Sequence, residues 1–177
     1  MEIKRITHIL VKISEHMKQV KKGLEESRIE IIYQEKEALP STFVGIDWLA
    51  SLIKDKEKEA KLLKRLRLFV RDEKIVAFQN ILLALRNITH LVYDITYDMS
   101  YHLEDYNNSE RLEIVNRLNA LMKECVYLAV YSEKDFIKYV DQDQKDQSIT
   151  MKDNRVMNDL KDIQEMLDII NENLFNL

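Results

Sequence analysis

The chain has 177 residues, 46% of them hydrophobic and 33% charged, with a formal net charge of −4. That length carries one domain with a sizeable core, and that composition excludes a disordered chain. Only two glycines (Gly23, Gly45) and one proline (Pro40) occur, too few for the tight turns of a β-rich or α/β fold, so the sequence predicts a few long helices.

The single cysteine, Cys125, excludes a disulfide within the chain and reads as a buried, inert thiol, pointing to a reducing compartment or to indifference about redox state. No uninterrupted apolar run reaches the roughly 20 residues of a membrane span, so none is expected. The opening MEIKRITHILVKISEHMK carries charges at helical spacing, unlike a secretory signal, and the expected location is the cytoplasm. Charge is uneven: residues 1–75 hold 17 Lys/Arg against 13 Asp/Glu, and residues 76–177 hold 10 against 18. Such a dipole could steer partners or pair two copies head to tail, although complementary faces on neighbouring helices are the simpler and favoured reading.

The first predicted helix carries Ile3, Ile6, Leu10, Ile13, Met17, Val20, Leu24, Ser27 and Ile31 at alternating spacings of three and four. That heptad seam implies near-parallel or antiparallel neighbours with a left-handed supercoil. Gly23 within it costs about 1 kcal/mol relative to Ala. The segment ALPSTFVGI, residues 38–46, reads as a loop, and the apolar FVGIDW, residues 43–48, as a cap over one end of a bundle.

Asp47 reads as the N-cap of a second helix with the apolar stripe Leu49, Leu52, Ile53, Ala60, Leu63 and Val70. Asp72 reads as the cap of a third, which runs to about Tyr106. No Gly or Pro separates the two, which leaves a continuous connection near Arg71 open. Asn107, Asn108 and Ser109 form the next turn. A fourth helix has Glu110 and Glu113 in its first turn and buries Leu112, Val115, Leu118, Met122, Cys125 and Ala129. Ser132 with Asp135 and Thr150 with Asp153 offer capping boxes around a solvated loop, residues 141–150. The last helix repeats the seam with Val156, Leu160, Ile163, Leu167, Ile170, Leu174 and Leu177.

The expected architecture is all-α: one domain, residues 1–177, made of four or five long antiparallel helices with heptad-patterned terminal helices.

The third helix holds the densest chemistry. At about 100° per residue, Phe78, Ile81, Leu85, Ile88, Val92, Ile95, Met99 and Leu103 form its core stripe. His90, Asp94, Tyr97, Tyr101 and Asp105 fall near the opposite side, with Tyr93 and Asp98 beside them and His102 closer to the core edge. Tyr93, Tyr97 and Tyr101 make one ridge; His90, Asp94, Asp98 and His102 make another.

Three sharper chemistries are readable here. His90, Asp94, Asp98 and His102 offer carboxylate and imidazole ligands suited to zinc, manganese or iron, completed from a second helix. Asp94-x-x-x-Asp98 resembles the acidic pair with which phosphate-regulatory bundle proteins of the PhoU type hold metals, but the other copies of that pair are missing. LRNITHLVYD, residues 85–94, resembles a fragment of the Arg-Asn-x-x-x-His signature of the HEPN ribonucleases, which are helical and often dimeric. The resemblance implies that Arg86 and His90 act on an RNA backbone with Asn87 assisting, although Arg86 and His90 stand closer together than the family's residues do. Residues 54–74 hold nine Lys/Arg against five acids, a stripe suited to phosphates, although a charge run on an amphipathic helix reads more simply as a solvated face.

No phosphate-cradling glycine loop and no Ser or Cys nucleophile motif occurs. The reading favoured is a non-enzymatic bundle without cofactor that acts through protein–protein contact, self-associating as a homodimer. Its binding face is Tyr93, Tyr97, Tyr101, Asp94 and Asp98.

Overall fold

A computed structural model describes residues 2–66, 72–131, 155–174 and 176–177, and the described residues contain no strand. Five long helices, α1 (Glu2–Glu25), α3 (Pro40–Arg65), α4 (Asp72–His102), α5 (Asn108–Tyr131) and α6 (Arg155–Leu174), pack with a short one, α2 (Ile29–Ala38). A 3-10 turn, Leu103–Asp105, ends α4. The all-α bundle read from the sequence is the fold.

Paired side chains give the directions. Ser14 donates to the Met122 carbonyl and Arg111 to Ser27, so α1 and α5 run antiparallel. Asn80 meets Asn173 while Arg155 meets Asp94, so α4 and α6 do too. Phe43 against His90 and Lys56 against Phe78 set α3 antiparallel to α4.

Most residues of the two terminal seams are buried, with Ile3 half-buried and Ser27 exposed. Ile6, Leu10, Ile13, Met17, Val20 and Leu24 of α1 join Val156, Leu160, Ile163, Leu167 and Ile170 of α6 in one core, with Leu174 and Leu177 packed against its edge. Each fully buried aliphatic side chain contributes about 1.5–3 kcal/mol, so these rows outweigh the single Gly23.

Gly23 is in fact needed. Helix α1 stops at Glu25 rather than running on through Ile31. Ser27 takes φ 52°, and the Arg28 N–H donates to the Gly23 carbonyl at 2.9 Å, a Schellman-type ending. The chain then folds back, and Ile32 occupies the space that a Cβ at residue 23 would fill. The reversal shifts the phase of the seam: Ile32 and Leu39 are buried, whereas Ile31 is only half-buried.

Residues 38–46 are not a loop. Pro40 occupies the first turn of α3, where the missing N–H is unneeded, and Leu39 is itself in the right-handed helical region. The proline therefore starts a helix. Asp47 lies two turns inside α3 and caps nothing, and FVGIDW presents Ile46 to the core but Val44 and Trp48 to solvent.

Asn107 caps α5. Its Oδ1 accepts from the Glu110 N–H at 2.8 Å, and Glu110 returns the bond to the Asn107 N–H at 3.2 Å. Leu112 is not core: it is 60% exposed, because α5 buries the arc through Ile114, Leu118, Leu121, Cys125 and Leu128. Met122 is partly buried, and burial holds the Cys125 thiol protonated, its pKa pushed up. The cap expected at Ser132 and Asp135, the loop 141–150, the cap at Thr150 and Asp153, and the join near Arg71 all lie outside the described residues.

One stretch, Glu73–Asp105, is long and apolar enough by length and composition to cross a membrane. The count of unbroken apolar runs passes over it because single polar residues interrupt the run. Here it is the central helix, with α1, α2, α3 and α6 all packed against it.

Candidate functional site

Helix α4 is buried over a wide arc. Its core stripe from Phe78 to Leu103 is enclosed, and so are Thr89, Thr96 and Ser100 beside it. Those hydroxyls turn back on the helix, Thr89 onto the Leu85 carbonyl and Thr96 onto the Val92 carbonyl, and so need no outside partner. What remains is two flanks, and they meet different neighbours.

The tyrosine flank meets α2. Tyr97 stacks on Tyr101 at 4.8 Å between ring centroids and stands 6.4 Å from Tyr93. Lys36 of α2 reaches beneath this row: its ammonium lies 5.0 Å from the Tyr101 ring, 5.6 Å from Tyr97 and 4.3 Å from Tyr33. It also donates to the Tyr101 hydroxyl at 3.2 Å. That bond raises the Lys36 pKa above its ordinary value despite the opposing effect of burial. Lys36 is only 8% exposed, yet it lies just under the rings rather than in the deep core. Tyr33, Tyr97 and Tyr101 keep 45%, 48% and 54% of their surface open. The result is a fixed aromatic patch held from beneath by a cation.

The acidic flank meets α6. Asp94 faces Arg155 at 4.0 Å, and Asp98 accepts from the Tyr106 hydroxyl at 2.8 Å. Asp159 of α6 lies close enough to both to feel their charge, and its Oδ2 is buried without a hydrogen-bond partner. Burial first, then Asp94, pushes the Asp159 carboxyl up to about 6. Asp98, His102, Asp105, Tyr106 and Glu110 line an open depression at the end of α4. His102, expected near the core edge, is exposed and pairs with Asp105 at 3.5 Å.

The four residues read as metal ligands are thus divided. His90 stacks on Phe43 of α3 at 4.6 Å, away from Asp94 and Asp98. Among the described residues no group of three or more His, Cys, Asp or Glu is placed to hold an ion. Of the ribonuclease-like set, Arg86 and His90 lie on the side of α4 that meets α3, and Asn87 lies on the side that meets α6. Arg86 pairs with Asp47 of α3, His90 with Phe43, and Asn87 turns to the Met166 sulfur of α6 at 3.8 Å. No family model, curated protein or solved structure matches the chain.

The basic stripe is a feature of the far half of α3. Lys54, Lys58, Lys61 and Arg65 are exposed there, with Leu62 and Leu66 beside them, and Ala60 is the one buried residue from 54 to 66. This basic, largely exposed half of α3, which touches α4 through Lys56 and Phe78, is called the arm below.

Two groups escaped the sequence reading. Lys36 and Tyr33 were hidden because residues 31–37 read as the tail of the first helix. The Tyr-x-x-Lys spacing, which puts both on one helix face, was the available signal. The second group links three helices: His16 Nδ1 donates to Glu35, and its Nε2 accepts from the Thr42 hydroxyl at 2.7 Å. An acid–imidazole–hydroxyl row is also the arrangement of nucleophilic catalysts. Here Thr42 is 2% exposed, and the row serves as a tie between α1, α2 and α3.

Proposed function

We propose that this protein works by binding protein rather than by catalysis, that it self-associates, and that it serves a regulatory or scaffolding role in the cytoplasm. The observation that carries this reading is the patch of Tyr33, Tyr97 and Tyr101, half open and fixed from beneath by Lys36. Tyrosine offers a large contact area, a hydroxyl and few rotamers to freeze, and interfaces concentrate it for those reasons. Rings already immobilised lose still less entropy when a partner covers them. Asp94 and Asp98 stand on the adjoining flank and add negative charge at the edge of the patch.

The test is the association state of the wild type and of Tyr97→Ala/Tyr101→Ala, followed by sedimentation equilibrium across a concentration series. The wild type associates and the double variant does so at least about tenfold more weakly. Equal association of the two removes the patch as the binding face.

A further inference from the structure

We infer that the occupant of the tyrosine patch is the basic arm of α3 from a second copy of this chain, which joins copies head to tail. This rests on the reading of the patch as a binding face and names what it binds.

Charge is the first support. Between Arg86 and Arg111 the chain holds five acids (Asp94, Asp98, Glu104, Asp105, Glu110) and no Lys or Arg. Of the described cations nearby, Lys36 lies under the rings, Arg111 is bonded to the Leu103 and Tyr106 carbonyls at the end of α4, and Arg28 is paired with Glu30 at the surface. The patch thus has acid on the adjoining flank and at the end of α4. The arm is its complement: residues 54–65 hold six Lys/Arg against three acids, and Lys54, Lys58, Lys61 and Arg65 are exposed.

Spacing is the second support. Lys54, Lys58, Lys61 and Arg65 recur every four, three and four residues, so the cations stand about 4.5–6 Å apart along one side of α3. Tyr93, Tyr97 and Tyr101 recur every four, about 6 Å apart. Two helices laid side by side therefore bring a cation to each ring. Leu62, 56% exposed beside the stripe, adds apolar contact. The chain already uses this chemistry internally, with Lys36 over three tyrosines, Arg5 over Trp48 at 3.0 Å and Lys56 over Phe78 at 5.5 Å.

Patch and arm are different surfaces of one molecule, and α3 running antiparallel to α4 carries the exposed arm away from Tyr97 and Tyr101. One chain cannot satisfy both at once, and the contact is heterologous.

Complementation tests this directly. Lys58→Glu/Lys61→Glu disables the arm and leaves the patch; Tyr97→Ala/Tyr101→Ala does the reverse. Glu104→Lys provides a second patch variant with no ring removed, in case the first fails to fold. Each variant alone associates at least about tenfold more weakly than wild type, with the wild-type contact weakening as salt rises. An arm variant mixed with a patch variant restores a one-to-one complex that grows no further, because only one intact patch and one intact arm remain. Loss of association in the patch variants but not in the arm variant overturns this inference and leaves the patch as a face that pairs with itself. A mixture that stays monomeric also overturns it. Loss of association in neither variant, or a wild type that stays monomeric throughout, removes the arm and the self-associating patch together.

Discussion

The two flanks of α4 start one residue apart, at Tyr93 and Asp94, and the bundle treats them in opposite ways. The tyrosine flank receives a cation: Lys36 lies against Tyr33, Tyr97 and Tyr101 and donates to a hydroxyl. The acidic flank receives more acid: Asp159 comes against Asp94 and Asp98, with Asp162 also adding to its burden and Arg155 the one opposing charge acting on it. Quadrupoles that attract positive charge are matched on one side, and like charges are crowded on the other. The first arrangement fixes a surface, and the second is held at a cost that depends on pH.

The sharpest way to break this contrast is to invert the cation. Lys36→Glu places a carboxylate against three negative ring faces with little room for water, and it lowers the thermal midpoint more than any other change on either flank. Lys36→Met keeps the length and apolar contact but removes the charge, and its loss is smaller. Tyr101→Phe removes only the hydroxyl that accepts from Lys36, and its loss is smaller again. Thermal denaturation of the three variants gives the order. Equal midpoints for Lys36→Glu and Lys36→Met contradict the cation–ring attraction.

The acidic flank responds to pH in a defined direction. The Asp159 carboxyl moves from 3.8 to about 6 in the folded chain. Below the lower value it is protonated whether the chain is folded or not, and it costs nothing. As pH rises through the upper value, the folded chain must release a proton it holds more tightly than the unfolded one, so stability falls across that window. Asp159→Asn removes this slope and stabilises the fold at neutral pH by about 1 kcal/mol, the shift being discounted because the carboxyl is partly open to solvent. Urea denaturation from acid to neutral pH measures it. An unchanged slope in Asp159→Asn places the titration elsewhere.

The contrast was only half legible in the sequence. Periodicity gave the core side of α4 residue by residue, because burial on one face is written into a single helix. It also put the two ridges side by side. Which helix covers each ridge depends on how the chain turns, and there the sequence misled. Pro40 read as a loop marker when it starts α3, and Ser27 passed as a polar guest in a seam when it ends α1. With those turns misplaced, α2 did not exist as an element, and Lys36 had no face. Gly23 shows the same limit: its cost inside a helix is local, whereas its use, admitting Ile32, appears only once α2 folds back. His90 and Asp94 look like partners four residues apart, yet they diverge because α3 and α6 approach from different sides.

The smallest expected effect is the most informative about whether the flanks act separately. Arg155 and Asp94, 4.0 Å apart and both solvent-exposed, form a pair worth a few tenths of a kcal/mol, so Arg155→Ala barely moves stability. It does remove the counter-charge acting on Asp159, so the Asp159 carboxyl titrates higher still, whereas Asp94→Asn removes a like charge and brings it lower. Carboxyl chemical shifts followed through the titration report both directions. If each flank answers only to its own neighbour, these shifts are the same with Lys36 or Met at position 36, since changes without shared partners add. A shift in the Asp159 titration on Lys36→Met instead shows that the field of the buried ammonium crosses α4, and that the tyrosine patch and the acidic flank form one electrostatic unit.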